Sequence, residues 1–338
     1  MCAGGMRLCY KMGPAARCGC DEMASPLVSI VIPLYNKAHC VLKTLSSVAS
    51  QSCSDFEVII VDDGSTDGSA QLVKATGLGY LRLIQQNNAG VSAARNRGIA
   101  AAQGKWIAFL DADDLWSHDH LGGLLQSAEG ATAIAVFSNL RLQSGAGRPL
   151  IDPGVRPQTV DDYFSFALSN GNYPASSSSI MVLKDELIAA GLFADGIETG
   201  EDIDMWCRLT CRGPFFYNAR LSATYTDASS SNNRARPPLF AQRLPELIRY
   251  GRVPPAKVEN AKRYANFLML EYARQLLDHR RYAEARAVLL NDCVPSYDAR
   301  RFLKRLTRTS TLGRMMFELS RTDPVGWLAR KVDSSAGP

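Results

Sequence analysis

At 338 residues, with 46% apolar and 21% charged positions, the chain is long enough to bury a core for one large α/β domain and a smaller partner, and no run approaches the eighteen or so apolar residues of a membrane span. The net charge of +5 conceals an asymmetry: residues 234–338 carry 21 Lys/Arg against 10 Asp/Glu, while residues 1–233 carry 17 against 23, which points to two parts with two jobs. The nine cysteines have no framework spacing, and without an export signal they read as reduced thiols of a cytoplasmic protein, not as disulfides or a zinc site.

Residues 1–25 read as a disordered leader, with no apolar centre of a secretory signal and with Met6, Met12 and Met23 as alternative starts. Val28-Ser29-Ile30-Val31-Ile32 is a β-branched strand closed by Pro33, and Leu34-Tyr35-Asn36-Lys37 follows as a loop. Val41, Leu42, Leu45, Val48 and Ala49 then recur at helical spacing. A second buried strand over residues 56–61 runs into Asp62-Asp63-Gly64-Ser65-Thr66-Asp67-Gly68, a turn in which Ser65 or Asp67 can cap the helix carrying Ala70, Leu72 and Val73. A third strand over residues 80–84 leads through Asn87-Asn88-Ala89-Gly90 into a helix over residues 91–101. The fourth, Trp106-Ile107-Ala108-Phe109-Leu110, is apolar throughout and stops at Asp111-Ala112-Asp113-Asp114. Beyond it the pattern predicts a helix over residues 121–128, a strand over 133–139 and a Gly/Pro-rich loop over 143–160. A strand over 180–183 follows, and then a helix that starts at Asp185-Glu186 and ends near Gly191. The acidic run Glu198-Thr199-Gly200-Glu201-Asp202-Ile203-Asp204-Met205-Trp206 opens another helix, with Ile203, Trp206 and Leu209 on one face.

Strands alternating with helices imply βαβ units, hence a mostly parallel sheet flanked by helices with its ligands beyond the carboxyl ends of the strands. Tyr35, Asp62 and Asp63, and Asp111, Asp113 and Asp114 should then meet at one edge. No G-x-G-x-x-G follows the first strand and no G-x-x-x-x-G-K-[ST] occurs, which argues against a dinucleotide dehydrogenase and a P-loop phosphotransferase. Carboxylates crowded at the end of a core strand repel one another and resist desolvation, so the cluster suits Mg²⁺ or Mn²⁺ held by hard oxygen ligands. The other reading is an acidic turn, with Asp113 or Asp114 as the N-cap of the next helix. The helix dipole explains one or two acids of the Glu198–Asp204 run, and all four less well.

Taken together, five stretches resemble the family-2 glycosyltransferases of the GT-A nucleotide-sugar-binding fold. They are Val28-Ser29-Ile30-Val31-Ile32-Pro33-Leu34-Tyr35-Asn36, Val61-Asp62-Asp63-Gly64-Ser65-Thr66-Asp67, Asn88-Ala89-Gly90-Val91-Ser92-Ala93-Ala94-Arg95-Asn96-Arg97-Gly98-Ile99, Phe109-Leu110-Asp111-Ala112-Asp113-Asp114 and Gly200-Glu201-Asp202-Ile203-Asp204-Met205-Trp206. The likeness covers roughly residues 26–230 and implies three parts: a leader (1–25), a GT-A domain (26–235) and a basic helical extension (236–338). It further implies an inverting, metal-dependent hexosyl transfer from a UDP-, GDP- or dTDP-sugar to a hydroxyl acceptor, in bacterial surface polysaccharide or lipid-linked glycan synthesis. By the same resemblance Asp113 and Asp111 hold the metal, and Pro33, Tyr35, Asp63, Arg95 and Ala112 belong to the donor site. Asp202 is the base that takes the acceptor proton, with Glu201 beside it. Asp204, the runner-up base, is expected to cap or face outward, and Trp206 to sit in the core rather than line the acceptor site. Many relatives carry a histidine after the next strand; here the region reads Thr224-Tyr225-Thr226-Asp227-Ala228-Ser229-Ser230, so either Asp227 substitutes or metal and backbone serve alone.

Residues 236–338 look all-helical. Pro254-Pro255 opens a helix to Asp278, Tyr282 begins another, and residues 300–331 mix Phe302, Leu303, Leu306, Met315, Met316, Leu319 and Trp327 with arginines. Such a basic amphipathic face either lies peripherally on the inner face of the cytoplasmic membrane or docks as a solvated face on the catalytic domain; no nucleic-acid motif accompanies the charge. Two other functions compete. A nucleotidyltransferase would carry a Gly-rich phosphate loop where Pro33-Leu34-Tyr35-Asn36 stands, and a non-catalytic scaffold on a transferase fold predicts loss of the acids that are present.

Overall fold

Val28–Leu34 (β1), Phe56–Asp62 (β2), Leu81–Gln85 (β3) and Trp106–Phe109 (β4) form the parallel half of one sheet, in the order β3-β2-β1-β4. The computed structural model describes residues 25–143, 147–170, 173–197, 200–226 and 240–310. The leader, the run after Ser310, Glu198 and Asp227 therefore lie outside the described residues. Helices Val41–Ala49 (α1), Ser69–Ala75 (α2) and Val91–Ala101 (α3) connect these strands in the βαβ manner that the alternation predicts. Every residue of β4 is buried, as expected of a strand covered on both faces. Pro33 does not close β1: it stays inside the strand opposite Val61, past the last β4 partner at Val31, where no ladder donor is missed.

The rest of the sheet is less regular. Among the described residues, Leu115–Trp116 (β5), Ala135–Leu142 (β6), Gln158–Val160 (β7), Ile180–Leu183 (β8) and Phe215–Tyr225 (β9) extend it to nine strands, in the order β3-β2-β1-β4-β8-β6-β9-β5 with β7 on β9. The α/β class holds, but the sheet is mixed: four strand pairs are parallel and four antiparallel. Because β8 runs against β4, the turn that precedes β8, Ser177–Ser179, sits at the edge where β4 ends. His120–Gly130 (α4), Tyr163–Ser169 (α5), Lys184–Ala189 (α6) and Glu201–Leu209 (α7) complete this unit.

Among the described residues a second unit, divided from the first between Ser229 and Ser230, is helical: Phe240–Arg249 (α8), Val258–Asp278 (α9), Tyr282–Asn291 (α10) and Ala299–Arg308 (α11). Leu276, Leu277 and Ala285 pack between α9 and α10, and Arg305 and Arg308 of α11 donate to Glu271 (2.5 Å) and Asp278 (3.0 Å) of α9. Part of the basic charge is thus spent inside the unit. No described helix is long and apolar enough to cross a membrane.

One glycine shows how tightly the first unit is built. A Cβ on Gly98 of α3 would stand 2.4 Å from Val31 Cγ1 of β1, closer than atoms can approach, so α3 rests directly on the Val31 side chain. We therefore expect Gly98→Ala to cost about 1–3 kcal/mol in urea unfolding. Gly130→Ala, where nothing lies within 4 Å, should change stability by no more than about 0.5 kcal/mol.

Candidate active site

The loops that leave β1 and β2 are stitched into one surface. Asn36 takes a left-handed φ of 52°; its N–H donates to Ser65 Oγ (3.0 Å) and its Oδ1 accepts from Thr66 N–H (2.8 Å). Lys37 N–H donates to Ser69 Oγ (2.9 Å) and Ala38 N–H to Asp67 Oδ2 (2.9 Å). Tyr35 is 48% exposed at this edge, an aromatic face not consumed by the core. Asp62 is a turn-former, accepting from Ser65 N–H (3.1 Å) and Gln85 Nε2 (3.0 Å). Gly68 is the N-cap residue of α2, and the expected Asp67 side chain accepts from the helix's first N–H, that of Ser69 (3.0 Å); Ser65 does not.

Asp63 is buried, and its carboxylate gathers the loop that leads into α3. Oδ1 accepts from Gln86 Nε2 (2.8 Å) and Ala89 N–H (2.9 Å), and Oδ2 accepts from Gly90 N–H (2.8 Å). Gly90, with a φ of 90°, is the residue that this backbone requires. The pattern holds α3 in place, and α3 delivers Arg95.

Arg95 is 2% exposed and carries the central contact of the site. Its Nη1 donates to Glu201 Oε1 (2.6 Å) and its Nη2 to Asp111 Oδ1 (2.7 Å), while Phe193 lies under the guanidinium at 5.4 Å. One planar cation thus joins the end of β4 to the first turn of α7, and the two carboxylates hold its proton more tightly than usual against the opposing effect of burial. Although it is carried on a helix, Arg95 is therefore no surface charge.

Asp111, Ala112 and Asp113 follow β4 as expected. Ala112 is buried and its carbonyl accepts from Thr44 Oγ1 (2.8 Å) of α1. Asp113 Oδ2 is paired with the Lys37 ammonium. Among the described residues no three His, Cys, Asp or Glu side chains converge on one point. Two partly exposed carboxylates two positions apart nevertheless fit a Mg²⁺ or Mn²⁺ that draws the remainder of its shell from water and substrate phosphates, the usual habit of these ions.

Asp114 is neither a ligand nor the expected cap. Its side chain is fully buried, accepting from Ser178 Oγ (2.5 Å) and Thr226 N–H (2.9 Å), and burial followed by repulsion from Asp111 raises its pKa well above the usual carboxylate range. The chain enters β5, not a helix, at Leu115, and the N-cap of α4 is Asp119. The Ser178 hydroxyl also accepts from Asp111 N–H (3.1 Å), and its carbonyl accepts from Trp116 Nε1 (2.7 Å). Ser178 thereby fixes the backbone at which Asp111 emerges.

At α7, Gly200 in a left-handed conformation (φ 79°) starts the helix and three acids follow in its first turn. Glu201 is buried on Arg95. Asp202 is partly exposed, accepts from its neighbour Ile203 N–H (2.8 Å), and has its pKa pushed up to about 7, first by burial of the carboxyl and next by the Glu201 charge, with Arg95 pulling the other way. Asp204 corrects the expectation of a cap or an outward-facing acid: it is 3% exposed and bound to Arg208 Nε (3.0 Å) and Nη2 (2.7 Å). Trp206 is fully buried between Phe109 and Phe193, as a core residue.

The edge therefore brings Asp111, Asp113, Arg95, Glu201 and Asp202 into one network, with Asp63 one connection away through α3. Lys37 and Ser178 belong to it and were not singled out by the sequence. Lys37 adjoins the Tyr35-Asn36 stretch, a signal that was available. Ser178 sits in a run of four serines, where only the fold distinguishes one from the next. His120, by contrast, is a core residue, stacked on Trp116 at 4.4 Å with its pKa lowered to about 3 by burial.

The sequence profile described as Glycosyl transferase family 2 matches residues 29–154. Bacillus subtilis TuaG, named provisionally as a teichuronic acid biosynthesis glycosyltransferase, is 31% identical over 197 residues, 55% of this chain and 73% of that protein. The succinoglycan biosynthesis protein ExoO of Rhizobium meliloti is 39% identical over 126 residues, 37% of this chain and 36% of its own. Three uncharacterised glycosyltransferases, of Rickettsia bellii, Nostoc and Escherichia coli, are matched over only 26%, 46% and 26% of their lengths. In fold, the chain is similar to S. aureus TarS residues 1–349 in complex with UDP-GlcNAc, with a TM-score of 0.61 at 17% identity over 83% of this chain and 79% of that one. With the nine-stranded sheet and the acids at its carboxyl edge in place, these likenesses show that the chain belongs to glycosyl transferase family 2.

Proposed function

We propose that the first unit is a catalytic domain that moves a sugar from a nucleoside-diphosphate donor to a hydroxyl acceptor with inversion at the anomeric carbon. The observation that carries this reading is the Arg95 bridge between Asp111 and Glu201, which joins a donor-side strand end to an acid-bearing helix start. Tyr35 offers an exposed ring to a planar base, and Asp63 with the loop it gathers borders the same edge of the sheet. Asp111 and Asp113 would hold Mg²⁺ or Mn²⁺, which when bound neutralises charge on the departing diphosphate without proton transfer. Asp202 takes the proton of the acceptor hydroxyl as its oxygen bonds to the anomeric carbon, and the bond from that carbon to the diphosphate oxygen breaks with its electron pair. Glu201, locked to Arg95, is a positioning residue for Asp202. The TarS complexes, one with UDP-GlcNAc and one with UDP, favour a UDP-sugar as the first donor to test. TuaG and ExoO, by their names, favour a polymeric or lipid-linked surface glycan as acceptor. The basic face of α11 would suit peripheral contact with an anionic membrane surface.

Screening UDP-, GDP- and dTDP-sugars with Mn²⁺ by thermal shift identifies the donor, since a ligand at 100 times its Kd stabilises the fold by about 2.7 kcal/mol. With that donor, Asp113→Asn should lower Mn²⁺-dependent transfer at least about 100-fold; full activity in this variant would remove Asp113 from the metal site.

Asp202 makes a prediction whose sign is fixed by its pKa. A base must be deprotonated, so kcat/KM should rise with pH and level off above about 7. Because the folded state binds this proton more tightly than the unfolded chain, the group favours folding at low pH and opposes it increasingly as pH rises from about 4 towards 7. Asp202→Asn should therefore bind donor normally, lose transfer, and gain about 1–2 kcal/mol of stability at pH 8 with no gain at pH 4 after allowance for solvent screening. Wild-type transfer by this variant would move the base elsewhere.

A further inference from the structure

The run Ser176-Ser177-Ser178-Ser179 places four hydroxyls at the edge where β4 ends, and the fold uses them differently. Ser176 and Ser179 bond each other: Ser176 N–H donates to Ser179 Oγ (3.1 Å), and Ser179 Oγ donates to the Ser176 carbonyl (3.1 Å). The Ser177 hydroxyl is buried and has no hydrogen-bond partner among the described residues. Ser178 reaches the acidic turn. Its Oγ accepts from Asp111 N–H (3.1 Å) and donates to Asp114 Oδ2 (2.5 Å), and Asp114 N–H donates back to the Asp111 carbonyl (3.0 Å). These bonds close a ring around Ala112 and Asp113, and the Ala112 carbonyl is held separately by Thr44 Oγ1 (2.8 Å). Ser178 is itself anchored: its N–H donates to Ser176 Oγ (3.3 Å) and its carbonyl accepts from Trp116 Nε1 (2.7 Å).

Resting on the reading of Asp111 and Asp113 as ligands of Mg²⁺ or Mn²⁺, we infer that Ser178 is a positioning residue for that ion: its hydroxyl pre-forms the Asp111–Asp114 turn, so that the two carboxylates meet the ion without the backbone having to order as it binds. The need is geometric. Asp111 and Asp113 lie beyond Phe109, the last residue of β4, so the strand ladder does not fix them. A small ion such as Mg²⁺ demands near-ideal coordination, and ligands on a wandering turn lose affinity to the entropy of ordering them. The bonds of Ser178 go to neither ligand carboxylate; it acts through the Asp111 N–H and the Asp114 side chain. Partners of this kind, one step behind the ligands, set metal affinity by about 10–100-fold in metal sites generally. Ser178 comes to this edge because β8, which follows it, pairs antiparallel with β4. The antiparallel half of the sheet thereby supports a turn that belongs to the parallel half.

Metal binding measured without turnover tests this, with Mn²⁺ followed by electron paramagnetic resonance in the full-length protein. Ser178→Ala should bind Mn²⁺ about 10-fold more weakly than the wild type. Ser177→Ala deletes the same atom from the adjacent buried position with no bond lost, and should bind Mn²⁺ as the wild type does. In transfer assays Ser178→Ala should need about 10-fold more Mn²⁺ for half its maximal rate, and its kcat should return to within about twofold of the wild type once Mn²⁺ saturates. A merely structural loss would not produce that split. Unchanged Mn²⁺ affinity in Ser178→Ala overturns the inference. Equal weakening in Ser177→Ala overturns it too, by attributing the effect to packing, and so does a kcat that stays low at saturating Mn²⁺. If Ser178→Ala does not fold, Ser178→Cys, close in size but a weaker donor and acceptor, replaces it and is judged by the same outcomes. Asp113→Asn separates the two levels. If it binds Mn²⁺ as the wild type does, the metal reading fails and carries this inference with it; if it loses Mn²⁺ while Ser178→Ala keeps it, only the role of Ser178 fails.

Discussion

The buried guanidinium of Arg95 is the constraint on which the site depends. Burying a cation costs several kcal/mol, and a buried pair recovers this only with close geometry and satisfied partners. Arg95 meets the geometric part of that condition with two carboxylates at 2.6 and 2.7 Å and an aromatic face beneath, while its buried Nε has no hydrogen-bond partner among the described residues. The consequence reaches outward in two directions. Asp111 is fixed to β4 and Glu201 to α7, so the Arg95 fork sets the distance between the end of the parallel sheet and the start of a helix contributed about a hundred residues later. Remove the cation and Asp111, Glu201 and Asp202 would repel one another. The same cation therefore makes the concentration of acids at this edge survivable and decides its shape.

That arrangement was half legible in the sequence, and the line between the halves has a physical meaning. The parallel strands are apolar, cleanly bounded and local in their signals, and all four form with their helices within a residue or two of expectation. What escaped lies in the antiparallel half. β5 and β7 have two and three residues, too short for a period to declare itself, and they exist because β9 is there to pair with them. β9 itself is broken by Ala219 at a φ of 60° and by the register shift opposite Phe137 and Asn139, so its alternation is interrupted where it would have been read. α5 did leave a signal: Asp162 accepts from Phe164 and Ser165 N–H as an N-cap, a cue hidden by the Gly/Pro-rich stretch before it.

The candidate site divides the same way. Asp63, Arg95, Asp111, Asp113, Glu201 and Asp202 stand out as residue types in motifs, and the fold does bring their segments to one edge. Their partners do not stand out. Lys37 contacts Asp113 across 76 positions and Ser178 contacts Asp114 across 64; no local pattern encodes such pairs, which arise from strand order. Asp114 and Asp204 were misjudged for one shared reason. Spacing along the chain treated them as surface acids near a helix start, whereas each points into the unit and is satisfied there, Asp114 by a hydroxyl and a backbone N–H and Asp204 by Arg208.

What separates the acids at this edge is their partners rather than their positions. Asp63 is taken up by backbone N–H groups, Glu201 by the buried Arg95 and Asp204 by Arg208. Asp114 is buried so completely that a hydroxyl acceptor has no path to it. Asp113 faces Lys37. Asp202 differs from these: it is partly exposed, among the described residues its hydrogen bond comes from the N–H of the next residue, and the charge of the adjacent Glu201 is repulsive. Burial of this carboxyl first, and the Glu201 charge next, favour its taking up a proton near neutrality. This is the property the base proposed at Asp202 needs: Arg95, bonded to Glu201 and Asp111, offsets the rise only in part.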